Sequence, residues 1–215
     1  KVKLISTENW LNKNINDEFA QHVINKSSFD TDKKLKVAVD AGNGIGGFLF
    51  DLVFGNTALD VKKMYFKPDG TFPNHEPNPK LKENVQDLID EMKNGQYDVG
   101  IALDGDSDRV MLVDSKGRIL ESVYTGILIG RELTRTGENK KIVHDPRITL
   151  ALEDAAKEYE WELIEAMAGR SYMKKGIMEE DAVFAFENSG HFLYQNMYHA
   201  DSSAMTIATA LDALM

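Results

Sequence analysis

Asp104-Gly105-Asp106-Ser107-Asp108-Arg109 sets three carboxylates two residues apart with small residues between them, a spacing that lets all three turn toward one hard cation. Mg²⁺ takes oxygen ligands at about 2.0–2.1 Å and keeps positions open for water or a phosphate, so three Asp make an incomplete shell that invites a phosphate. A polar turn between two strands is the plain alternative, since Asp, Gly and Ser all favour turns. Against it, three like charges within five residues repel unless something positive sits between them, and Arg109 neutralises only part of that charge. A calcium loop of the EF-hand kind fails on spacing: its sixth position is Arg109 instead of Gly and its twelfth is Ser115 instead of Glu.

Three further loops follow expected strands, where ligands of open α/β sheets gather beyond the carboxyl ends. They are Asp145-Pro146-Arg147, Gly169-Arg170-Ser171 and Glu187-Asn188-Ser189-Gly190-His191. Arg147 and Arg170 offer forks suited to a phosphate or carboxylate. Glu187 and Ser189 can accept from and donate to neighbouring hydroxyls, a combination that favours a polyol over an apolar ligand. His191 has the pKa range for proton transfer, or else a structural hydrogen bond to Glu187. Asp201 is expected in the cap of the helix from Ser203, within reach of the site. Gly42-x-Gly44-x-x-Gly47, with Asp60 further on, matches the dinucleotide-binding fingerprint, although glycines there equally serve a tight turn and close helix packing. His75 and Glu76, among the prolines of residues 68–79, are either catalytic or exposed loop residues.

The elements that must hold these loops read as an alternation of strands and helices. Ser6 or Thr7 caps a helix through Trp10, Leu11, Ile15, Phe19 and Val23 that ends near Ser27-Ser28. Strands are expected at 35–40, 61–66 and 97–103, with helices at 48–54 and 81–92. A hairpin turns at Ser115-Lys116-Gly117. Beyond it the rhythm repeats: helices at 123–135, 150–159, 172–179 and from 203, and strands at 141–144, 162–167 and 182–186. This is an α/β chain of two small α/β/α layered domains, residues 1–117 and 118–215, each a mixed sheet covered by helices.

Composition narrows the partners. With 215 residues, a net charge of −10 and no Lys/Arg stripe, nucleic acid and anionic membrane are excluded as partners, and an anionic substrate needs local basic residues. The absence of cysteine excludes disulfides and thiolate sites and makes a cytoplasmic setting the expectation. The abrupt ends, without an initiator Met and with an apolar helix running to Met215, suggest an excised piece of a longer chain.

Taken together these motifs resemble the α-D-phosphohexomutases, the phosphomannomutase and phosphoglucomutase enzymes. Asp104-Gly105-Asp106-Ser107-Asp108-Arg109 is similar to their metal loop. Asp40-Ala41-Gly42-Asn43-Gly44, Phe72-Pro73-Asn74-His75-Glu76-Pro77, Gly169-Arg170-Ser171-Tyr172-Met173-Lys174-Lys175 and Glu187-Asn188-Ser189-Gly190-His191 follow in the family's order. The chain departs at Arg170, where phosphomannomutases often carry His, and at Asn188, where Met is common. The resemblance implies the second and third of four domains. It also implies Mg²⁺ on Asp104, Asp106 and Asp108, with Arg109 at the transferring group and Glu187 and Ser189 on the sugar of a hexose phosphate. The reaction implied is a reversible phosphoryl transfer between the 1- and 6-oxygens, through a phosphoserine and a bisphosphorylated sugar. The phosphoserine loop and the phosphate-gripping loop belong to the absent first and fourth domains, so the fragment alone is expected to be inactive. Two other classes stand beside it: a dinucleotide-binding oxidoreductase resting on Gly42, Gly44 and Gly47, and a non-catalytic sugar-phosphate-binding module.

Overall fold

The computed structural model describes residues 13–147 and 150–214. Its first helix, α1 (Asn16–Ser27), starts later than the sequence pattern suggests: Ile15 is its N-cap, and Ser28 ends it in the left-handed region at φ 58°. The expected cap at Ser6 or Thr7, with Trp10 and Leu11, lies outside the described residues.

Five strands make the first sheet: β1 (Lys36–Asp40), β2 (Asp60–Met64), β3 (Val99–Leu103), β4 (Val110–Asp114) and β5 (Ile119–Leu120), in the order β2-β1-β3-β4-β5. β1 is parallel to β2 and β3, whereas β4 and β5 run antiparallel as the expected hairpin. β5 adds to this sheet from just beyond residue 117. Helices α2 (Gly46–Phe54) and α3 (Gln86–Asn94) serve this sheet. A 3₁₀ turn at Lys82–Val85 replaces the first turn expected of α3, and Asn84 Nδ2 donates back to the Asn78 carbonyl there. Every residue of β3 is buried, as a strand covered on both faces requires.

The second sheet repeats the pattern. β6 (Lys141–His144) is parallel to β7 (Glu162–Glu165) and β8 (Phe184–Phe186), and β9 (Phe192–Tyr194) and β10 (Ala200–Asp201) return antiparallel. The order is β10-β9-β8-β6-β7, with helices α4 (Ser122–Thr134), α5 (Leu150–Tyr159), α6 (Arg170–Glu180) and α7 (Ser203–Ala213). Each domain is therefore a mixed sheet layered with helices, and the turns after β3 and β8 occupy equivalent places in the two sheets.

The domains share a core. α7 is buried at every position but Asp212, and its alanines let α1 and α4 approach closely. Val23, Phe50 and Phe54 on the first side and Ile129, Phe184 and Tyr194 on the second belong to one continuous apolar cluster with Met205 and Ile207. Tyr194 keeps its buried hydroxyl satisfied on Thr206 at 2.8 Å. Lys33 caps the end of α7 through the Leu211 and Asp212 carbonyls, the favourable placement for a cation. Among the described residues no helix is long and apolar enough to cross a membrane.

Candidate active site

β3 and β4 are antiparallel neighbours, so residues 104–109 must reverse the chain within one turn, and Asp104 organises that reversal. Its carboxylate, 1 % exposed, accepts the backbone N–H groups of Asp108 and Arg109, each at 3.0 Å, and the Arg109 Nε at 2.7 Å. Ser107 takes the left-handed conformation at φ 60° to complete the turn. One oxygen from each of Asp104, Asp106 and Asp108 then lies within 4.8 Å of the others. Hard oxygen donors gathered this closely, with Asp106 exposed and Asp104 and Asp108 steadied by guanidinium groups, fit a hard divalent ion such as Mg²⁺.

The glycine turn after β1 is filled by this loop. A Cβ on Gly44 would lie 2.4 Å from the Gly105 carbonyl oxygen, and one on Gly47 would lie 2.7 Å from that of Phe66. Backbone packing therefore accounts for these glycines. Asp60 pairs with Lys36 at the amino-terminal edge of the sheet, the far end from that turn, so it is not placed as a ribose-binding acid.

The proline segment lies against the same loops. His75 Nε2 sits 3.1 Å from the buried Asp40 Oδ2, and Asn78 Oδ1 accepts from Arg109 Nη1 at 3.3 Å. Burial raises the Asp40 carboxyl above its usual range, opposed by the Gly42 N–H and His75. Lys80 donates to the Asn188 carbonyl, which also accepts from Ser122 Oγ at 3.1 Å. The segment thus bridges the carboxylate loop and the 187–191 loop. Glu76 is exposed.

Across the domain boundary, the loop after β8 faces the carboxylates. His191 Nε2 lies 3.4 Å from Asp108 Oδ1, while its Nδ1 is 2.8 Å from Ser189 Oγ and 3.1 Å from Glu187 Oε2. Burial pushes the His191 imidazole down, but the Glu187 hydrogen bond and the charges of Asp108 and Glu187 outweigh it and raise it above 6.5. The same hydrogen bond holds Glu187 below its ordinary value against the effect of burial. Glu187 Oε1 accepts the Gly169 N–H at 2.5 Å, which ties this loop to the start of α6.

Arg170, though more than half exposed, is held by two carboxylates. Its Nη2 lies 2.7 Å from Asp108 Oδ2 and its Nη1 lies 3.2 Å from Asp201 Oδ2, the latter without hydrogen-bond alignment. Asp201 sits on β10, and the cap of α7 is Ser202, whose Oγ accepts the Met205 N–H at 3.2 Å. Arg147 stands apart from this cluster. Its fork closes on Asp145, which is fully buried and also accepts the Asn188 N–H at 2.7 Å.

Asp104, Asp106, Asp108, Arg109, Arg170, Glu187, Ser189 and His191 thus meet at the facing carboxyl edges of the two sheets, while Arg147 is paired with Asp145, which also holds the Asn188 N–H of the 187–191 loop. Lys80 is a contributor that the sequence reading leaves out, and Asp40 and Asp145, though inside motifs it names, receive no role of their own there; their carboxyl-edge position is the available signal. A cavity of about 630 Å³, lined in part by Asp106, Asp108, Asp201, His22 and Tyr198, opens beside the carboxylates. A larger one of about 740 Å³ lies at the opposite edge of the second sheet, by Arg131 and Asp212, away from the strand ends where ligands gather.

Known proteins share this architecture. Residues 17–117 match the description "Phosphoglucomutase/phosphomannomutase, alpha/beta/alpha domain II", and residues 122–215 match that of domain III. A phosphoglucomutase of Neisseria meningitidis is 32% identical over 190 residues, which cover 88% of this chain and 41% of that protein. A phosphomannomutase of Escherichia coli is 34% identical over 175 residues, covering 79% and 38%. A solved structure from Burkholderia thailandensis, a phosphoglucomutase/phosphomannomutase family protein, is similar with a TM-score of 0.86 at 30% identity and covers 92% of this chain and 43% of its own. The chain spans about two fifths of the length of the curated relatives it matches.

Proposed function

Because the chain belongs to the phosphoglucomutase/phosphomannomutase family and carries its α/β/α domains II and III, we propose that it is part of a Mg²⁺-dependent phosphohexomutase. That enzyme interconverts hexose 1-phosphate and hexose 6-phosphate of the mannose or glucose type through a phosphoserine and a bisphosphorylated sugar. The observation that carries the reading is the meeting of the Asp104, Asp106 and Asp108 oxygens with the Glu187–His191 loop of the other domain at Asp108.

Phosphoryl transfer asks a protein mainly for positioning and charge neutralisation. Asp104, Asp106 and Asp108 would hold a Mg²⁺, which would supply positive charge for the phosphoryl transfer. Arg109, fixed by Asp104 at Nε and by Asn78 at Nη1, adds its positive charge beside the transferring group. Glu187 and Ser189 hold sugar hydroxyls, and His191, poised between Ser189 and Asp108, moves a proton at the reacting hydroxyl. The phosphorylated serine and the grip on the substrate's second phosphate come from domains outside this chain, in a cytoplasmic enzyme.

The test is a coupled assay of the complete parent protein with mannose 1-phosphate and glucose 1-phosphate plus a bisphosphate activator, beside the 215-residue chain alone. We expect turnover from the first and background from the second. A parent inactive on both sugars overturns the reading; turnover by the chain alone overturns the assignment of the nucleophile to another domain.

A further inference from the structure

Arg170 is the first residue of α6, directly after the Gly169 cap. A cation is unfavourable at a helix amino terminus, where the partial charge of the helix is itself positive. No acidic residue stands in that first turn to offset it. The compensation comes from elsewhere in the chain: Asp108 of the carboxylate loop and Asp201 of β10. The other cations beside Asp108 stand farther from it and share their bonds with other partners: His191 Nε2 is 3.4 Å away with its Nδ1 on Ser189 and Glu187, and Arg109 Nε is 3.8 Å away and bonded to Asp104. The Arg170 side chain, more than half exposed, is free to change partners at little cost to packing.

We propose that Arg170 is a built-in counter-cation of the carboxylate loop, neutralising Asp108 when the metal is absent and giving way when a divalent ion takes over that charge. The proposal rests on the metal reading above. A divalent ion on Asp104, Asp106 and Asp108 and the guanidinium of Arg170 compete for the same carboxylate, because two cations crowded on one Asp repel. On metal binding the Asp108–Arg170 ion pair opens, Nη1 stays beside Asp201, and the Nη2 end is released toward an anionic ligand entering between the domains. Metal occupancy is thereby coupled to a contact that joins the first domain to the second.

Calorimetric titration of MgCl₂ into the 215-residue chain, its R170Q variant and its R170K variant tests this. R170Q should bind Mg²⁺ about tenfold more tightly than the unaltered chain, the effect of removing one charge a few Å from a divalent ion at a partly solvated site. R170K, which keeps the charge and loses the fork, should fall between them. Thermal melting gives an independent readout: R170Q should melt lower than the unaltered chain in EDTA and gain more from saturating Mg²⁺, as linkage requires of a tighter site. Equal or weaker Mg²⁺ binding by R170Q overturns the competition while leaving the metal site standing. Binding by neither form removes the metal reading and the proposal together.

Discussion

The hydroxyl of Ser107, inside the carboxylate loop of the first domain, lies 3.0 Å from that of Ser203 in the first turn of α7, and both side chains are buried. The Val110 N–H donates to the Gly190 carbonyl at 3.2 Å close by, so the two facing loops are joined at backbone and side-chain level. Such ties fix how Asp108 meets His191 and Arg170.

Ser107 is held there at some cost, since its φ of 60° is a conformation that side chains with a Cβ rarely adopt. S107A should lose about 1–2 kcal/mol in denaturant unfolding, because it leaves the Ser203 hydroxyl buried without its partner. S107G should be about 1 kcal/mol more stable than S107A, because glycine takes the left-handed conformation freely. Equal stability of the two would show that the turn carries no strain.

Asp104 and Asp106 share a candidate ligand set and differ in what the fold asks of them. Asp104 is buried under Arg109 and two backbone N–H groups, whereas Asp106 is exposed. D104A should cost about 3 kcal/mol by stranding the partly buried Arg109 guanidinium and those donors. D106N should change stability by no more than about 0.5 kcal/mol while weakening a Mg²⁺ affinity expected to be on the order of 10⁻⁴ M or poorer. Calorimetry and denaturant titration on both variants separate the roles; undiminished Mg²⁺ binding by D106N would remove it from the ligand set.

Burial pushes the Asp145 carboxyl up, but the Arg147 fork and the Asn188 N–H prevail and hold it below 3.8. A carboxylate with a depressed folded-state pKa contributes stability that is complete above the unfolded value, near 3.8, and is lost as pH falls through the folded value. D145N should therefore be less stable than the unaltered chain at neutral pH, with the gap closing below about pH 4. Melting temperatures from pH 2.5 to 7 provide the check; a gap constant across that range would mean that the charge contributes nothing.

The carboxylate loop and the strands and helices around it were legible because their signals are local: spacing of like charges, apolar runs and turn residues. What was not legible is pairing across the chain. Arg170 meets Asp108 from 62 residues away, and nothing in Gly169-Arg170-Ser171 distinguishes a fork aimed at a substrate from one held by an internal carboxylate. β9 and β10 are three and two residues long, too short for alternation to register. Asp201, which the sequence assigns to a helix cap, lies instead on β10, and Ser202 fills the cap. His75 illustrates the same limit, since proline neighbours suggested a loop residue and only the turn after β1 brings Asp40 beneath it.

Glu187 gives the sharpest test of the sugar loop, because it has two separable duties. Oε1 holds the Gly169 N–H at 2.5 Å and so fixes where α6 and Arg170 begin, while Oε2 faces Ser189 and His191. E187A removes both contacts, and in the complete enzyme it should raise KM and lower kcat, together costing about a hundredfold in kcat/KM, as loss of a positioning clamp does. E187Q keeps one amide oxygen that can accept the Gly169 N–H but turns an NH₂ group toward Ser189 and His191 at a buried position, so it should lower the melting temperature, though less than E187A does. Its kinetics then read the loss of the Oε2 acceptor together with its charge. If Glu187 Oε2 grips a sugar hydroxyl as an acceptor, E187Q should raise KM nearly as much as E187A, and kcat should fall as well because His191 loses the negative neighbour that supports its protonated form. If instead E187Q and E187A raise KM equally with kcat untouched, Glu187 contributes uniform binding only. Unchanged kinetics in both would reduce it to a brace for the Gly169 turn.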